Sequence, residues 1–340
     1  MANASTTDDA AAAMHLIDYT DAAAVKQIPT RNGFGEGLVE AGRRDANVIA
    51  ICADLSESTR MEAFKKTFPD RYIEIGVAEQ MLVAMAAGLA AAGKVPFIAS
   101  YAMFNPGRSW EQVRTTMALN ETNVKIAGAH AGVSVGPDGA THQAIEDIAI
   151  MRVIPKMTVV VPCDSVQTKQ ATLAVAARFG ATYLRFARAE SAVITTERTP
   201  FELGKAQTFR DGGDVAIVAC GILVYNALVA ADLLAREDGI DCRVVNNHTI
   251  KPMDEAAIVD AGRDCGAVVT VEEHQVHGGM GSRVAEILAA KYPVPIEFIG
   301  VQDRFGQSGN PQELVEEYHM GITAIREAVR RVVDRKRSRE

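Results

Sequence analysis

Glu79 sits in the segment Ile73-Glu-Ile-Gly-Val-Ala-Glu-Gln-Met81, which runs on into LVAMAAGLAAAG. A helix over that run is apolar on every side and is therefore expected to be buried all round. A carboxyl at its start feels two opposed effects. Desolvation disfavours the anion and can raise a carboxyl pKa by up to about 3–5. The helix N-terminus favours the anion, by only about 0.3–1 kcal/mol. A buried Glu79 is thus an acid able to hold or release a proton near neutral pH, as acid–base catalysis needs. The plainer reading is a first-turn glutamate that caps the helix.

A second constellation is Ala129-His-Ala-Gly-Val-Ser-Val-Gly-Pro-Asp-Gly-Ala-Thr-His-Gln143. A strand ends at His130, and a Gly-rich loop then carries Asp138 and His142. Ligands of parallel sheets bind outside the carboxyl ends of the strands. Two imidazoles and a carboxylate there suit a polyhydroxylated or phosphorylated substrate, with hydroxyls to grip and protons to move. The His-x11-His spacing matches no established zinc site, and a turn with surface histidines stays open. Arg31, Ser58 and Arg188 lie at other strand ends. Arginine's planar fork suits phosphate, so the three could form a phosphate cup; singly, each arginine is a surface ion-pair candidate. His277-Gly-Gly-Met-Gly-Ser282 resembles a phosphate-binding turn but lacks both the G-x-G-x-x-G spacing and a P-loop lysine, which favours a tight structural turn. Phe305-Gly-Gln-Ser-Gly309 is a similar turn.

The elements that must position these residues alternate along the chain. From Asn47 the strand candidates are NVIAICAD, RYIEIG, VPFIAS, NVKIAGAH, MTVVVP and ATYLRFA, separated by helices at Thr59–Thr67, Ala78–Ala92, Gly107–Leu119, Gln143–Met151 and Ser165–Phe179. Asp164 or Ser165 caps the last of these. The polar stretch 195–213 reads as a linker. A second alternation follows: DVAIVACG, a helix over 223–237, DCRVVN, a helix over 253–263, GAVVTVEE, a helix over 282–291, PIEFIGV, and helices near 312–318 and 322–335. Continuous apolar strands alternating with helices predict two α/β domains, each a largely parallel sheet flanked by helices. The expected division is a mobile leader over 1–25, domains over 26–194 and 214–335, and the linker between them.

The 340 residues, 48% apolar and 23% charged, exclude wholesale disorder, collagen and coiled coil. A formal charge of −8 gives no general attraction to nucleic acid. The five cysteines, Cys52, Cys163, Cys220, Cys242 and Cys265, are odd in number and form no CxxC. They suggest a reducing compartment, hence the cytoplasm. The Ala- and Asp-rich residues 1–24 are expected to be a leader rather than a signal peptide, and the run Gln80 to Gly93 is too short to span a membrane. The basic ending RRVVDRKRSRE reads as a solvated helix end.

Taken in order, GVAEQ (76–80), HAGVSVGPDGATHQ (130–143), RVIPKMTVVVPCDS (152–165), EEHQVHGGMGS (272–282) and FGQSG (305–309) resemble the transketolase family of thiamine-diphosphate enzymes over about residues 26–335. The resemblance implies a pyrimidine-binding domain followed by a transketolase C-terminal domain. It implies that Glu79 hydrogen-bonds N1′ of the cofactor's aminopyrimidine, favouring the imino tautomer that takes the proton from thiazolium C2. By the same likeness Phe104 and Tyr101, in SYAMF, and Asp54, in ADLSES, lie at the cofactor. His130, Asp138 and His142 then grip sugar hydroxyls and assist proton transfer, while Arg31, Ser58 and Arg188 form the substrate's phosphate cup.

Family members of full length carry a further N-terminal domain, marked by GDG and a downstream Asn, that holds Mg²⁺ and the diphosphate. No GDG occurs in this sequence. The expectation is therefore the C-terminal subunit of a split transketolase, active only with an N-terminal diphosphate-binding partner, self-associated with two of each subunit, and acting on sugar phosphates. A deoxyxylulose-phosphate-synthase-like chain, a 2-oxo acid dehydrogenase β-like chain and a non-catalytic assembly or regulatory subunit are the alternatives. His130 stands where the first of these usually has Arg, and the second lacks DGATHQ. Pro137 stands where many transketolases have Glu, and Ala140 and Ala144 replace prolines, which leaves the sugar open among pentose phosphates, branched sugars and sulfosugars.

Overall fold

Alternating apolar strands need cover on both faces, and the chain supplies it twice. The computed structural model describes residues 10–338. The first sheet comprises β1 (Val48–Cys52), β2 (Tyr72–Glu74), β3 (Val95–Tyr101), β4 (Lys125–Ala129), β5 (Thr158–Val160) and β6 (Thr182–Arg185). The second is built from β7 (Gln207–Arg210), β8 (Val215–Ala219), β9 (Cys242–Asn246), β11 (Val268–Gln275) and β12 (Ile296–Val301). The intervening β10 (Thr249–Lys251) leaves the second unit and adds to the first sheet. The strand orders are β10-β5-β6-β4-β3-β1-β2 and β12-β11-β8-β9-β7. Neighbours in each are parallel except at β10 with β5 and β7 with β9.

Successive side chains point to opposite faces of a strand. Ala50, Phe97 and Ala99 pack with Phe34, Leu38 and Val175 from the helices Thr30–Arg44 and Ser165–Ala177. Ile49, Ile51 and Ile98 face the other way, against Leu82, Val83 and Ala86 of the helix Glu79–Ala91. That second core continues into the other domain through Val218, Val268, Val284 and Ile287. Asp164 caps Ser165–Ala177, its carboxylate accepting from Gln167 N–H at 2.8 Å.

Four expectations are corrected. The helix Glu79–Ala91 is buried on one face only: Met81 is 55% exposed, preceded by Val77 at 70%. Its own sheet covers a single side, and Met81 on the other is left open by the described residues. Residues 10–25, expected to be mobile, are docked: Ile17 N–H donates to Ile194 C=O, and Met14, Leu16 and Tyr19 pack against the second domain's core. Leader residues 1–9 lie outside the described residues. The expected linker contains β7, because Phe209 is apolar enough to be fully buried at the edge of the second sheet. The helix Thr30–Arg44 has no counterpart in the sequence reading. No described helix is long and apolar enough to cross a membrane.

Candidate active site

The carboxyl ends of β1, β2, β3, β4 and β6 lie along one edge of the first sheet. Their register places Cys52 beside Glu74 and Ala99, and Tyr101 beside Ala129. The loops leaving that edge carry Asp54 and Ser58, Glu79, Tyr101 and Phe104, the segment His130 to His142, and Arg188.

Five of the expected residues form one chain of contacts. Glu79 is 2% exposed at the first position of its helix. Its Oε2 lies 3.6 Å from Arg108 Nη1 and has no hydrogen-bond partner. The Arg108 guanidinium sits 5.9 Å from the Phe104 ring centroid. Phe104 meets His142 edge-on at 5.3 Å and stacks beside Tyr101 at 5.9 Å. Tyr101 in turn stacks on His130 at 3.9 Å. His130 has a left-handed backbone, φ 55°, and is buried with Nδ1 unpartnered. His142 Nδ1 is 2.9 Å from Thr141 Oγ1.

The cationic residues gather around His130. Burial, then the charges of Arg31 and Arg188, push its pKa down to about 3, with His142 and Arg60 adding to the effect. The sequence reading gave His130 a share in proton transfer at physiological pH. With its pKa pushed down to about 3, the His130 ring is neutral at that pH in this chain by itself. Arg31 is itself lowered by burial, then by Arg60 and Arg188. Its Nη1 donates to Ser58 C=O at 3.0 Å, and its buried Nε has no partner. Arg188 Nη1 donates to Val135 C=O at 2.8 Å. Arg31 thus meets Ser58 at its backbone carbonyl, and Arg188 is held by a different carbonyl, that of Val135.

Asp54 is exposed with φ 59°, its N–H donating to Glu74 Oε1 at 2.8 Å. Asp138 is exposed on the His130–His142 loop. Neither belongs to the ring contacts above. The His277–Ser282 turn is no anion site, because the chain's own Glu272 fills it. That carboxylate accepts from Met280 N–H at 2.7 Å and Gly281 N–H at 2.8 Å, at the start of the helix Met280–Lys291. Phe305–Gly309 instead braces the loop: Gln143 Nε2 donates to Gln307 C=O at 2.9 Å.

Arg60, Arg108 and Glu273 escaped the sequence reading. Arg60 follows Ser58 closely, and Glu273 stands inside EEHQ, so proximity to a motif was the available signal. Arg108 had none.

Two family models match the chain: the transketolase pyrimidine binding domain at residues 26–192 and the transketolase C-terminal domain at residues 204–325. The 6-deoxy-6-sulfo-D-fructose transketolase subunit SqwH of Clostridium sp. is 40% identical over 91% of this chain and 96% of its own length. The chain belongs to the transketolase family. An apulose-4-phosphate transketolase subunit of Phocaeicola vulgatus is 39% identical over 88% of this chain and 95% of its own length. Among solved structures, a split gene transketolase described as an inactive beta4 tetramer superposes with a TM-score of 0.84 at 40% identity, covering 92% of this chain and 100% of its own. The likeness to transketolase thus runs through both domains, and the contact chain from Glu79 to His130 lies wholly within the pyrimidine binding domain.

The family's cofactor is thiamine diphosphate, and the site fits its aminopyrimidine end. Glu79 presents a buried acceptor lacking a hydrogen-bond partner, and Arg108 links it to Phe104, which stacks beside Tyr101. A buried acceptor without a partner is costly, so a donor brought by a ligand would relieve it. The described residues contain no group of three or more His, Cys, Asp or Glu able to hold a metal ion.

Proposed function

We propose that this chain is the C-terminal subunit of a split transketolase. With a separately encoded diphosphate-binding subunit, thiamine diphosphate and Mg²⁺, it transfers a two-carbon ketol unit from a ketose phosphate to an aldose acceptor. The observation that carries this reading is Glu79: buried, with no hydrogen-bond partner at Oε2, and linked through its ion pair with Arg108 and the rings of Phe104 and Tyr101 to His130.

Each residue then has a task set by its chemistry. When bound, thiamine diphosphate supplies a carbon nucleophile that adds to a ketose carbonyl and accepts the electron pair of the adjacent C–C bond. Glu79 holds a proton at the aminopyrimidine N1′. Phe104 and Tyr101 flank the ring and exclude water from it. His130, neutral, orients a substrate hydroxyl without adding charge, and His142 moves a proton at the sugar. Arg31 and Arg188 hold a terminal phosphate as hydrogen-bonding cations, with Ser58 fixing Arg31. Asp54 is assigned to the cofactor and Asp138 to a sugar hydroxyl. Mg²⁺ and the diphosphate fall to the partner.

The exposed apolar residues Val77 and Met81 support a contact with another chain there. Two of each subunit is the arrangement proposed, and the isolated chain is expected to self-associate without activity. The five cysteines are free and buried, as suits a cytoplasmic protein.

The test is reconstitution. The chain, its partner, thiamine diphosphate and Mg²⁺ together should transfer ketol units, and the isolated chain should bind the cofactor weakly by calorimetry. Equal activity in a Glu79→Ala complex would overturn the mechanism. Tight cofactor binding by the chain alone would overturn the split site.

A further inference from the structure

Two adjacent glutamates near the end of β11, both buried, point to opposite faces of their strand. Glu272 is absorbed by the helix start described above. Glu273 has no such partner in its own domain and reaches across to the loop that follows β4. Its Oε1 accepts from Ser134 N–H at 2.6 Å. Its carboxylate also lies against Gly132: a Cβ there would come within 2.3 Å of the carboxyl carbon, and Gly132 has φ 86°. Only glycine meets both conditions. The Glu273 backbone is fixed as well, its carbonyl accepting from Arg185 Nη2 at 2.8 Å while Arg185 Nε pairs with Asp147 at 2.7 Å.

The loop so held begins at His130. That imidazole has no hydrogen-bond partner at Nδ1. Its place is therefore set by the stack on Tyr101 and by its backbone, whose continuation is Ala131 to Gly136. Burial pushes the Glu273 carboxyl upward, with Arg185 and the Ser134 amide pulling it down. A buried acid is an expensive prop, and an apolar residue would pack there more cheaply if packing were all that mattered.

We infer that Glu273 is a positioning residue for His130, through which the C-terminal domain holds the substrate-facing loop of the pyrimidine binding domain in register. This rests on the proposed reading that His130 contacts substrate. It gives the C-terminal domain a part in turnover: the carboxylate under Ser134 fixes where the His130 ring stands relative to a sugar hydroxyl.

The test separates reach from charge in the reconstituted complex. Glu273→Gln keeps an oxygen at the same reach and removes the charge. Glu273→Asp keeps the charge and withdraws the oxygen by one methylene. Glu273→Gln should stay within about threefold of wild type, whereas Glu273→Asp should lose about tenfold or more in kcat/KM, because small misplacements of a substrate contact are costly. The loss should not multiply with that of His130→Ala: the double variant should be no more than about threefold slower than His130→Ala alone. An activity order of Asp above Gln, or losses that multiply, would overturn the inference. A second readout needs neither partner nor turnover. Deuterium exchange of the isolated chain over residues 131–136 should accelerate in Glu273→Asp and not in Glu273→Gln, and equal protection in both would also overturn it. An inactive wild-type complex, or a fully active Glu79→Ala complex, would remove the ketol-transfer reading and leave the exchange result to decide Glu273.

Discussion

His130 and His248 are both buried and both held neutral, for related reasons. Burial lowers each to about 3 from an ordinary 6.5, and at His130 the surrounding arginines add to it. The folded protein refuses a proton that the unfolded chain accepts as pH falls through 6.5. Stability from this source is therefore complete above about pH 6.5 and is lost progressively toward pH 3. At pH 5 each histidine should cost about 1–2 kcal/mol. His248 is the cleaner probe, since it stacks on Phe201 at 4.4 Å, away from the site. His248→Gln should flatten the fall of the urea midpoint between pH 7.5 and 5, and an unchanged slope would contradict the assignment. At the residue scale Glu79, His130 and His142 stand in short motifs whose residue types suggest chemistry, while Phe104 and Tyr101 entered only through the family resemblance; the structure brings the five together. The neutrality of His130 was not legible, because it depends first on burial in the folded chain and then on the charges of Arg31 and Arg188, which lie far off in the sequence.

Strands were readable as elements because their signal is local: each β-branched run from NVIAICAD to PIEFIGV became a strand. The helix Thr30–Arg44 was not, because only Phe34, Leu38, Val39 and Ala41 give it an apolar face, and the side toward Ser165–Ala177 is built from glycine. At Gly33 an added Cβ would stand 1.8 Å from Ser165 C=O, and at Gly37 it would stand 2.7 Å from Thr172 Cβ. Backbone meets backbone along that seam with the helix Ser165–Ala177, which leaves little hydrophobic period to detect. Gly33→Ala should force the two helices apart at a cost of about 1–3 kcal/mol, read as a lower urea midpoint with the cofactor chemistry unchanged per folded molecule. An unaltered midpoint would show that the seam is not tight. β10 and the docked segment 10–25 were hidden for a related reason. Each owes its place to a distant element, β10 to β5 and Ile17 to Ile194, and neither pairing leaves a local mark.

For the whole molecule, one helix surface separates what this chain does alone from what it does in company. Glu79–Ala91 turns Leu82, Val83 and Ala86 inward and leaves Met81 outside. A charge at that exposed position should leave the fold intact and prevent assembly. Met81→Asp is expected to melt like wild type, to run smaller in gel filtration, and to lose activity with its partner; unchanged assembly and turnover would place the contact elsewhere. The account turns on the acid at the start of that helix. Its most direct test is the exchange of the C2 hydrogen of thiamine diphosphate for deuterium, followed by quenched-flow NMR in the reconstituted complex. With Glu79→Gln, which keeps the volume and removes the ionisable proton, exchange should slow by about 10²-fold or more. Exchange as fast as in wild type would contradict it.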